Sequence, residues 1–290
     1  MKVTRISKNI AKFETDKKDT KLAILSDLHW DNPHCNRELL KAHLDYCLKE
    51  DIPVFINGDM FCLMQGKGDR RGNKSDVRPE HAFNNYFDSI VKTAVEWFTP
   101  YAHIIKLISY GNHETSVLRH QESDIISRFV DLLNYKCNSK VLTGGYGGWI
   151  WFNYKNSNMI KSLKLKYFHG SGGGGAVTKG AINLTRALAM YEADIFTMGH
   201  IHENSARTDA KEVMYIKKGV CEVRHKYIHN MITGTYKDEY SDGSSGWHIE
   251  RGAPIKVLGG RILTLDFGRN RINNIRTLKC AIDSRQFPII

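Results

Sequence analysis

Four short apolar runs in this chain share one pattern, and that pattern constrains the fold more than any other feature. Each run ends in a polar turn that contains Gly or Asp, and a helix-like stretch follows it. The runs cover residues 22–27, 53–59, 103–110 and 193–200. Nearly continuous apolar runs of this length are typical of strands buried on both faces. Alternating strands and helices predict an α/β core in which at least part of the sheet is parallel.

The stretches between these runs have helical periodicity. Residues 36–50 place an apolar face at helical spacing, formed by Leu39, Leu40, His43, Leu44, Cys47 and Leu48. Asn36 stands where an N-cap residue is expected. Similar spacing predicts helices over residues 80–98, 122–135 and 181–192.

The rest of the chain has a different character. Residues 141–154 and 163–168 are aromatic, partly alternating and interrupted by glycine, as is typical of antiparallel strands. Strand-like runs continue over residues 212–278. No long flexible linker separates a second domain. We therefore expect one domain over residues 1–290, with its motifs in residues 22–202 and with C-terminal strands 212–278 that extend the sheets.

Composition excludes several classes of protein. With 41% hydrophobic residues the chain can bury a large core, which excludes global disorder. No window approaches the roughly 18 consecutive apolar residues of a membrane-spanning helix. Six cysteines are scattered without a CxxC pair, as expected of reduced thiols. We expect a soluble, cytoplasmic protein without a membrane partner.

The net charge indicates a class of partner. The chain has 42 Lys and Arg residues against 31 Asp and Glu residues, a formal net charge of +11. A basic surface attracts polyanions, so DNA, RNA or a nucleotide is a candidate partner. An enzyme that does not bind nucleic acid can have the same charge, and this alternative stays open.

Residues that bind metals or transfer protons stand where the runs end. They are Asp27, His29, Asp59, Asn112, His113, Glu114, His200 and His202, and His169 follows a fifth, antiparallel-looking strand. In α/β sheets, ligands gather at the carboxyl ends of strands. Besides His113 and Glu114, these are two carboxylates, one amide and four imidazoles, which are too many ligands for one tetrahedral ion. They suit two ions of Mn²⁺, Fe or Zn²⁺, about 3.5–4 Å apart, better than Ca²⁺.

In order along the chain, these motifs read Asp-x-His, Gly-Asp, Gly-Asn-His-Glu, a lone His and Gly-His-x-His. Together they resemble the calcineurin-like metallophosphoesterase superfamily. The resemblance runs from Asp27 to His202, and the C-terminal third carries none of it. It implies two stacked, mixed β-sheets flanked by helices, an α/β/β/α sandwich with a dinuclear metal site at its edge.

The resemblance also implies a role for each residue of the site. One metal would be bound by Asp27, His29 and His202, and the other by Asn112, His169 and His200. Asp59 would bridge the two ions, which are Mn²⁺ in our expectation, with Fe, Zn²⁺ or Mg²⁺ as alternatives. A metal-bridging hydroxide would attack phosphorus in line, and His113 would protonate the leaving oxygen or stabilise its charge.

The chain departs from the family at one position. Many phosphatase members have a second Asp three residues after the bridging one, where it orients the catalytic His. Here that residue is Cys62, and a thiol orients an imidazole poorly. Either another group holds His113 or its role is diminished. The Asp-Arg-Gly element of the phosphatases is also missing from its usual place, so the chain looks more like the nuclease and phosphodiesterase branches.

We therefore expect a hydrolase of phosphate esters, a phosphodiesterase or nuclease. Candidate substrate contacts are Arg70 and Arg71, in a long insertion after Asp59, and Lys179 and Arg186, which follow a glycine run. Two alternatives stay open. One is a phosphomonoesterase acting on a protein or a small molecule, and the other is a binding protein with the same fold and little turnover.

Overall fold

The fold is described from a computed structural model of the chain over residues 1–64, 76–157, 159–173, 175–240, 243–244, 247–267 and 281–288. Thirteen strands lie in this part of the chain. In order they are β1 Lys2–Ser7, β2 Ile10–Thr15, β3 Asp19–Leu25, β4 Val54–Asn57, β5 Ile105–Ser109, β6 Leu142–Thr143, β7 Gly147–Asn156, β8 Met159–Phe168, β9 Ile195–Met198, β10 Ser205–Lys217, β11 Val220–Ile232, β12 Arg261–Asp266 and β13 Ala281–Gln286.

The same residues include six α-helices and two 3₁₀ turns. The helices are α1 Arg37–Lys49, α2 Tyr86–Phe98, α3 Asn112–Gln121, α4 Ile125–Cys137, α5 Ala181–Met190 and α6 Trp247–Glu250. The 3₁₀ turns cover Pro79–His81 and Thr99–Tyr101. No helix among the residues described is both long and apolar enough to span a bilayer.

The strands form two mixed sheets. The seven-stranded sheet has the order β1-β2-β7-β8-β9-β11-β10, and the six-stranded sheet has the order β13-β12-β3-β4-β5-β6. Strands β3, β4, β5 and β6 are parallel neighbours, whereas β7 and β8 are antiparallel. The expected α/β class with two stacked, mixed sheets is confirmed.

Each apolar run of the sequence contains a strand, and β3 shows why the run has no polar alternation. Leu22 and Ile24 point into a cluster between the two sheets, whereas Ala23 and Leu25 pack with the helices on the other side. All four side chains are fully buried. A strand covered on both faces needs apolar residues at every position.

Helices cover the outer face of each sheet, which makes four layers. Residues of α1, α2 and α4 share one apolar cluster with the six-stranded sheet. Leu184 and Ala187 of α5 pack with Phe196 and Met198 of β9, on the outside of the seven-stranded sheet. The layer order is therefore helix, sheet, sheet, helix.

The helix predictions were correct in place and less accurate in their limits. Asn36 caps α1, because its side chain accepts a hydrogen bond from the amide of Leu39. The helix predicted from residue 80 begins only at Tyr86, after a 3₁₀ turn and two asparagines, which are poor helix formers. The helix predicted from residue 122 begins at Ile125, since Asp124 caps it.

Four strands of the described part follow the last motif, and they join both sheets. Strand β11 pairs with β9, and β10 pairs with β11 at the edge of the seven-stranded sheet. Strand β12 pairs with β3, and β13 pairs with β12 in the other sheet. The expected strands 212–278 begin earlier, at Ser205, and residues 268–280 lie outside the described part. The expected extent of a single domain stays a prediction.

Candidate metal centre

Five strand ends from both sheets meet at one edge of the sandwich and carry the predicted metal ligands. Asp27, Asp59 and Asn112 follow β3, β4 and β5 of the six-stranded sheet. His169 follows β8 directly, and the Gly-His-x-His segment follows β9 of the other sheet. The site therefore depends on the stacking of the two sheets, because neither sheet carries all the ligands.

The first group of side chains consists of Asp27, His29 and His202. One donor atom from each lies within 4.8 Å of the others. The Nε2 atom of His202 is 3.4 Å from Oδ1 of Asp27. These are the three residues that the family resemblance assigns to one ion.

The second group consists of Asp59, His169 and His200, whose donor atoms also lie within 4.8 Å of one another. Nε2 of His169 is 3.1 Å from Oδ2 of Asp59. Asn112 lies next to this second group, since its Oδ1 is 2.8 Å from Nδ1 of His200 and 3.2 Å from Nε2 of His169. The two groups adjoin, because Nε2 of His169 is only 3.9 Å from Oδ1 of Asp27.

His29 gives the clearest sign that the first group fits a cation. Its side chain is buried, and both ring nitrogens lack a hydrogen-bond partner among the described residues. Burial lowers the pKa of His29 well below its usual value, so the ring is neutral and has a free lone pair. An unpaired buried polar atom costs about 1–3 kcal/mol. A metal ion would satisfy one of these nitrogens, so the residues present fit the expected cofactor.

The second group carries opposite charges when no metal is bound. Burial alone would raise the pKa of Asp59, but His169 and His113 hold it well below the usual range. Burial alone would lower the pKa of His169, but the Asp59 carboxylate raises it to about 10. His169 therefore carries a proton that a cation must displace, and metal binding should release it.

The backbone of the site is strained. Five predicted ligands have left-handed φ angles that are unusual for residues other than glycine: Asp27 (52°), His29 (45°), Asp59 (48°), His200 (69°) and His202 (56°). Such a conformation costs on the order of 1–2 kcal/mol per residue. This strain is concentrated where the side chains of separate strands converge, which is typical of a functional site.

Three of the five motifs contain a glycine, and each of these glycines leaves room for a ligand side chain. A Cβ atom on Gly111 would lie 2.0 Å from Oδ1 of Asp59, and one on Gly199 would lie 2.5 Å from Oδ2 of Asp27. A Cβ atom on Gly58 would lie 2.3 Å from Nδ1 of His169. These glycines therefore set the spacing of the ligands.

A segment of the C-terminal third supports Asp27. The main-chain carbonyl of Asp27 accepts hydrogen bonds from the amide of Tyr236 at 3.0 Å and from the hydroxyl of Thr235 at 2.9 Å. The Asp27 carboxylate accepts one from the amide of His200 at 2.9 Å. Sequence reasoning missed this support, because nothing local in residues 233–236 indicates a neighbour some 200 positions away.

Glu114 connects two of the motifs. Its carboxylate accepts hydrogen bonds from the amides of Gly111, Asp59 and Phe61, at 2.8, 3.2 and 3.0 Å. Burial, with the nearby charge of Asp59, raises the pKa of Glu114 to about 8. The sequence places Glu114 in a motif, but this anchoring role could not be read from it.

His113 is oriented by a main-chain carbonyl. Its Nδ1 lies 2.5 Å from the carbonyl oxygen of Cys62, and its Nε2 lies 3.9 Å from Oδ2 of Asp59. Of the two alternatives that the sequence left open, the first is correct, since another group holds the ring. The Cys62 thiol also lies within 4.8 Å of His29 and His113. Burial raises its pKa to about 12, so the thiol is protonated at neutral pH.

The predicted substrate contacts are less well placed. Lys179 and Arg186 are exposed, and within the described residues neither side chain forms a hydrogen bond or ion pair with the site. Arg70 and Arg71 lie outside the described part of the chain.

A cavity of about 760 Å³ lies in the region of α2, α3 and α4. Its lining includes Phe83, Asn84, Asn85, Tyr86, Gln121 and Arg128. Tyr86 connects the cavity to the site, because its hydroxyl donates to Oδ2 of Asp31, two residues after His29. A second cavity of about 490 Å³ shares Asp88 and Arg128 with the first.

One family matches the chain over residues 20–204, more than half of its length. The family is described as calcineurin-like phosphoesterase, and the matched region contains all five motifs. No curated protein matches the chain significantly.

Three solved structures resemble the chain at low sequence identity. A conserved protein of Streptococcus pneumoniae, described as a predicted phosphoesterase, is 12% identical with a TM-score of 0.31, over 85% of this chain and 82% of that one. GAP50, the anchor in the inner membrane complex of Plasmodium, is 10% identical with a TM-score of 0.44, over 86% and 82%. A metallophosphoesterase from Sphaerobacter thermophilus is 11% identical with a TM-score of 0.31, over 84% and 83%.

Proposed function

Because the chain belongs to the calcineurin-like phosphoesterase family and is thus a metal-dependent phosphoesterase, we propose that its substrate is a phosphodiester, either nucleic acid or a nucleotide. The basic charge of the chain and a cavity that Tyr86 and Asp31 link to the site support this proposal. A diester has a second substituent on phosphorus, and that substituent needs a binding surface of its own. The cavity offers aromatic and amide side chains, which are suited to stacking on a base and to bonding its edge.

The exposed aromatic ring of Phe83 further supports a phosphodiester substrate. It lines the cavity and is 63% exposed, and stacking of a base on an exposed aromatic ring contributes about 1–3 kcal/mol. The formal net charge of +11 agrees with a polyanionic substrate. A monoester needs neither feature.

The metal assignment is part of the proposal. Asp27, His29 and His202 would hold one divalent ion, Asn112, His169 and His200 would hold a second, and Asp59 would contact both. Bound ions supply Lewis acidity and a nucleophilic water at neutral pH. The mixture of imidazole, amide and carboxylate donors favours Mn²⁺, with Fe, Zn²⁺ and Mg²⁺ as alternatives.

His113 would act on the leaving group. The carbonyl of Cys62 can only accept a hydrogen bond, so Nδ1 of His113 carries a hydrogen. A proton given to the leaving oxygen would therefore come from Nε2, the ring atom that lies 3.9 Å from the carboxylate of Asp59. A general acid of this kind contributes about 10²–10⁴-fold to the rate.

Four further assignments are proposals from the sequence. Lys179 and Arg186 would contact substrate phosphates beyond the scissile one, and so would Arg70 and Arg71. A cytoplasmic location is supported by the cysteines, because all five that the structure describes are free thiols.

Substrate choice tests the proposal directly. Manganese-loaded protein is incubated with bis-4-nitrophenyl phosphate, 4-nitrophenyl phosphate, and single- and double-stranded DNA. We expect turnover of the diesters, and activity on the monoester alone would contradict the diester assignment. Asp59→Asn should remove most of the activity, and an unchanged rate would contradict the role given to Asp59. Metal binding without turnover of any ester would instead favour the binding-protein alternative.

A further inference from the structure

The peptide between Cys62 and Leu63 determines how His113 is held. The carbonyl of Cys62 is the partner of Nδ1 of His113, at 2.5 Å. A carbonyl group can orient an imidazole ring only if its own peptide is fixed. Leu63 has a φ of 52°, a backbone conformation that a leucine rarely adopts. Something must therefore hold this turn in place.

The carboxylate of Asp31 holds it. Oδ1 of Asp31 accepts a hydrogen bond from the amide of Cys62 at 2.5 Å, and Oδ2 accepts one from the amide of Leu63 at 3.0 Å. The hydroxyl of Tyr86 donates to the same Oδ2 at 3.1 Å. Asp31 is buried. Hydrogen bonds to a buried carboxylate are stronger than those between neutral groups, so these three bonds fix both the carboxylate and the turn.

We propose that Asp31 is the positioning residue for His113. It acts through the main chain, by fixing the peptide whose carbonyl orients the ring, and it does not touch the ring itself. It thereby takes the place of the carboxylate that is missing at residue 62. This inference rests on the proposed role of His113 as the donor of a proton to the leaving oxygen.

Glu114 is a second acidic residue that binds amides of the segment 59–63, and its effect can be distinguished from that of Asp31. Glu114 accepts from the amides of Asp59 and Phe61, so it fixes a predicted metal ligand. Asp31 accepts from the amides of Cys62 and Leu63, at the end of this segment. Replacement of Asp31 should therefore affect proton donation more than metal binding.

The test compares leaving groups. 4-Nitrophenolate leaves without a proton, whereas the sugar oxygen of DNA needs one. The readout is the ratio of kcat on bis-4-nitrophenyl phosphate to kcat on a single-stranded oligonucleotide. We expect Asp31→Asn to raise this ratio by about tenfold or more, a part of the 10²–10⁴-fold that a general acid contributes. A loss of folding alone would lower both rates together and leave the ratio unchanged.

Three further variants complete the experiment. Cys62→Ala keeps the carbonyl, so it should keep the ratio of the wild type. Tyr86→Phe removes one of the three bonds to Asp31, and it should raise the ratio less than Asp31→Asn does. If Asp31→Asn does not fold, Tyr86→Phe still tests the role of Asp31. In the background of His113→Gln, which itself raises the ratio, Asp31→Asn should have no further effect on it.

Two results would overturn the inference, and they differ. If His113→Gln raises the ratio but Asp31→Asn and Tyr86→Phe leave it unchanged in folded, metal-loaded protein, Asp31 does not position His113. If His113→Gln itself leaves the ratio unchanged, the proposed role of His113 fails and the inference fails with it.

Discussion

Gly111→Ala should lower the activity although it replaces none of the predicted metal ligands. The substitution adds one methyl group, which would lie 2.0 Å from Oδ1, 2.4 Å from the amide nitrogen and 2.6 Å from Cγ of Asp59. Non-bonded carbon atoms need more than 3 Å, so either Asp59 or the start of α3 must move by about 1 Å. The backbone itself accepts alanine, because Gly111 has an extended conformation, with φ of −107° and ψ of −173°.

A displacement of this size reaches the chemistry, because α3 begins with Asn112 and His113. A shift of about 1 Å at an active site can lower the rate by about 100-fold. We expect a loss of that order in kcat/KM on bis-4-nitrophenyl phosphate, measured with manganese-loaded protein. Circular dichroism should show that the variant is folded.

The matched control is Gly173→Ala. A Cβ atom at Gly173 would meet nothing within 4 Å, and this glycine is not in the left-handed region. It also follows His169 by four residues in the sequence. We expect its activity to stay near that of the wild type. If Gly111→Ala also keeps its activity within a factor of two, the spacing role of the motif glycines is refuted.

Three further predictions concern stability and substrate binding. Burial lowers the pKa of His43 from 6.5 to about 4, so between these pH values the unfolded state binds a proton that the folded state does not, and stability is lost as the pH falls. His43→Leu should reduce the pH slope of the free energy of unfolding by up to about 1.4 kcal/mol per pH unit. An unchanged slope would refute this. Asn36→Ala should destabilise the protein by about 1 kcal/mol in urea denaturation, whereas Asn85→Ala, at an N-cap without a side-chain bond, should have little effect. Lys179→Ala should raise KM for DNA and reduce its salt dependence, with kcat retained; identical salt dependence would remove this residue from the substrate contacts.

The sequence allows the core of the fold and the location of the site to be predicted, because both depend on local pattern. A strand covered on both faces is apolar at every position, as residues 22–25 of β3 are. Residues that end such strands lie at one sheet edge by topology, so the ligand positions follow once the strands are recognised. The N-cap of α1 is a local signal of the same kind.

Other parts of the molecule depend on contacts that no local pattern reveals. Strand β1 is mostly polar and pairs with β2, and β2 pairs with β7, far along the chain, so the sequence does not predict this edge of the sheet. Helix α3 begins inside a motif that reads as a turn. Asp31 is one acidic residue among many in the sequence, and only the structure shows which amides it accepts from.

We propose that two adjoining groups of side chains hold two metal ions with Asp59 between them. Electron paramagnetic resonance of the protein titrated with Mn²⁺ tests it most directly, because two ions that share a bridging ligand are magnetically coupled. We expect two bound Mn²⁺ per chain with the spectrum of a coupled pair, and a single or uncoupled ion in Asp59→Asn. A wild-type protein that binds one ion, or two uncoupled ions, would contradict the claim.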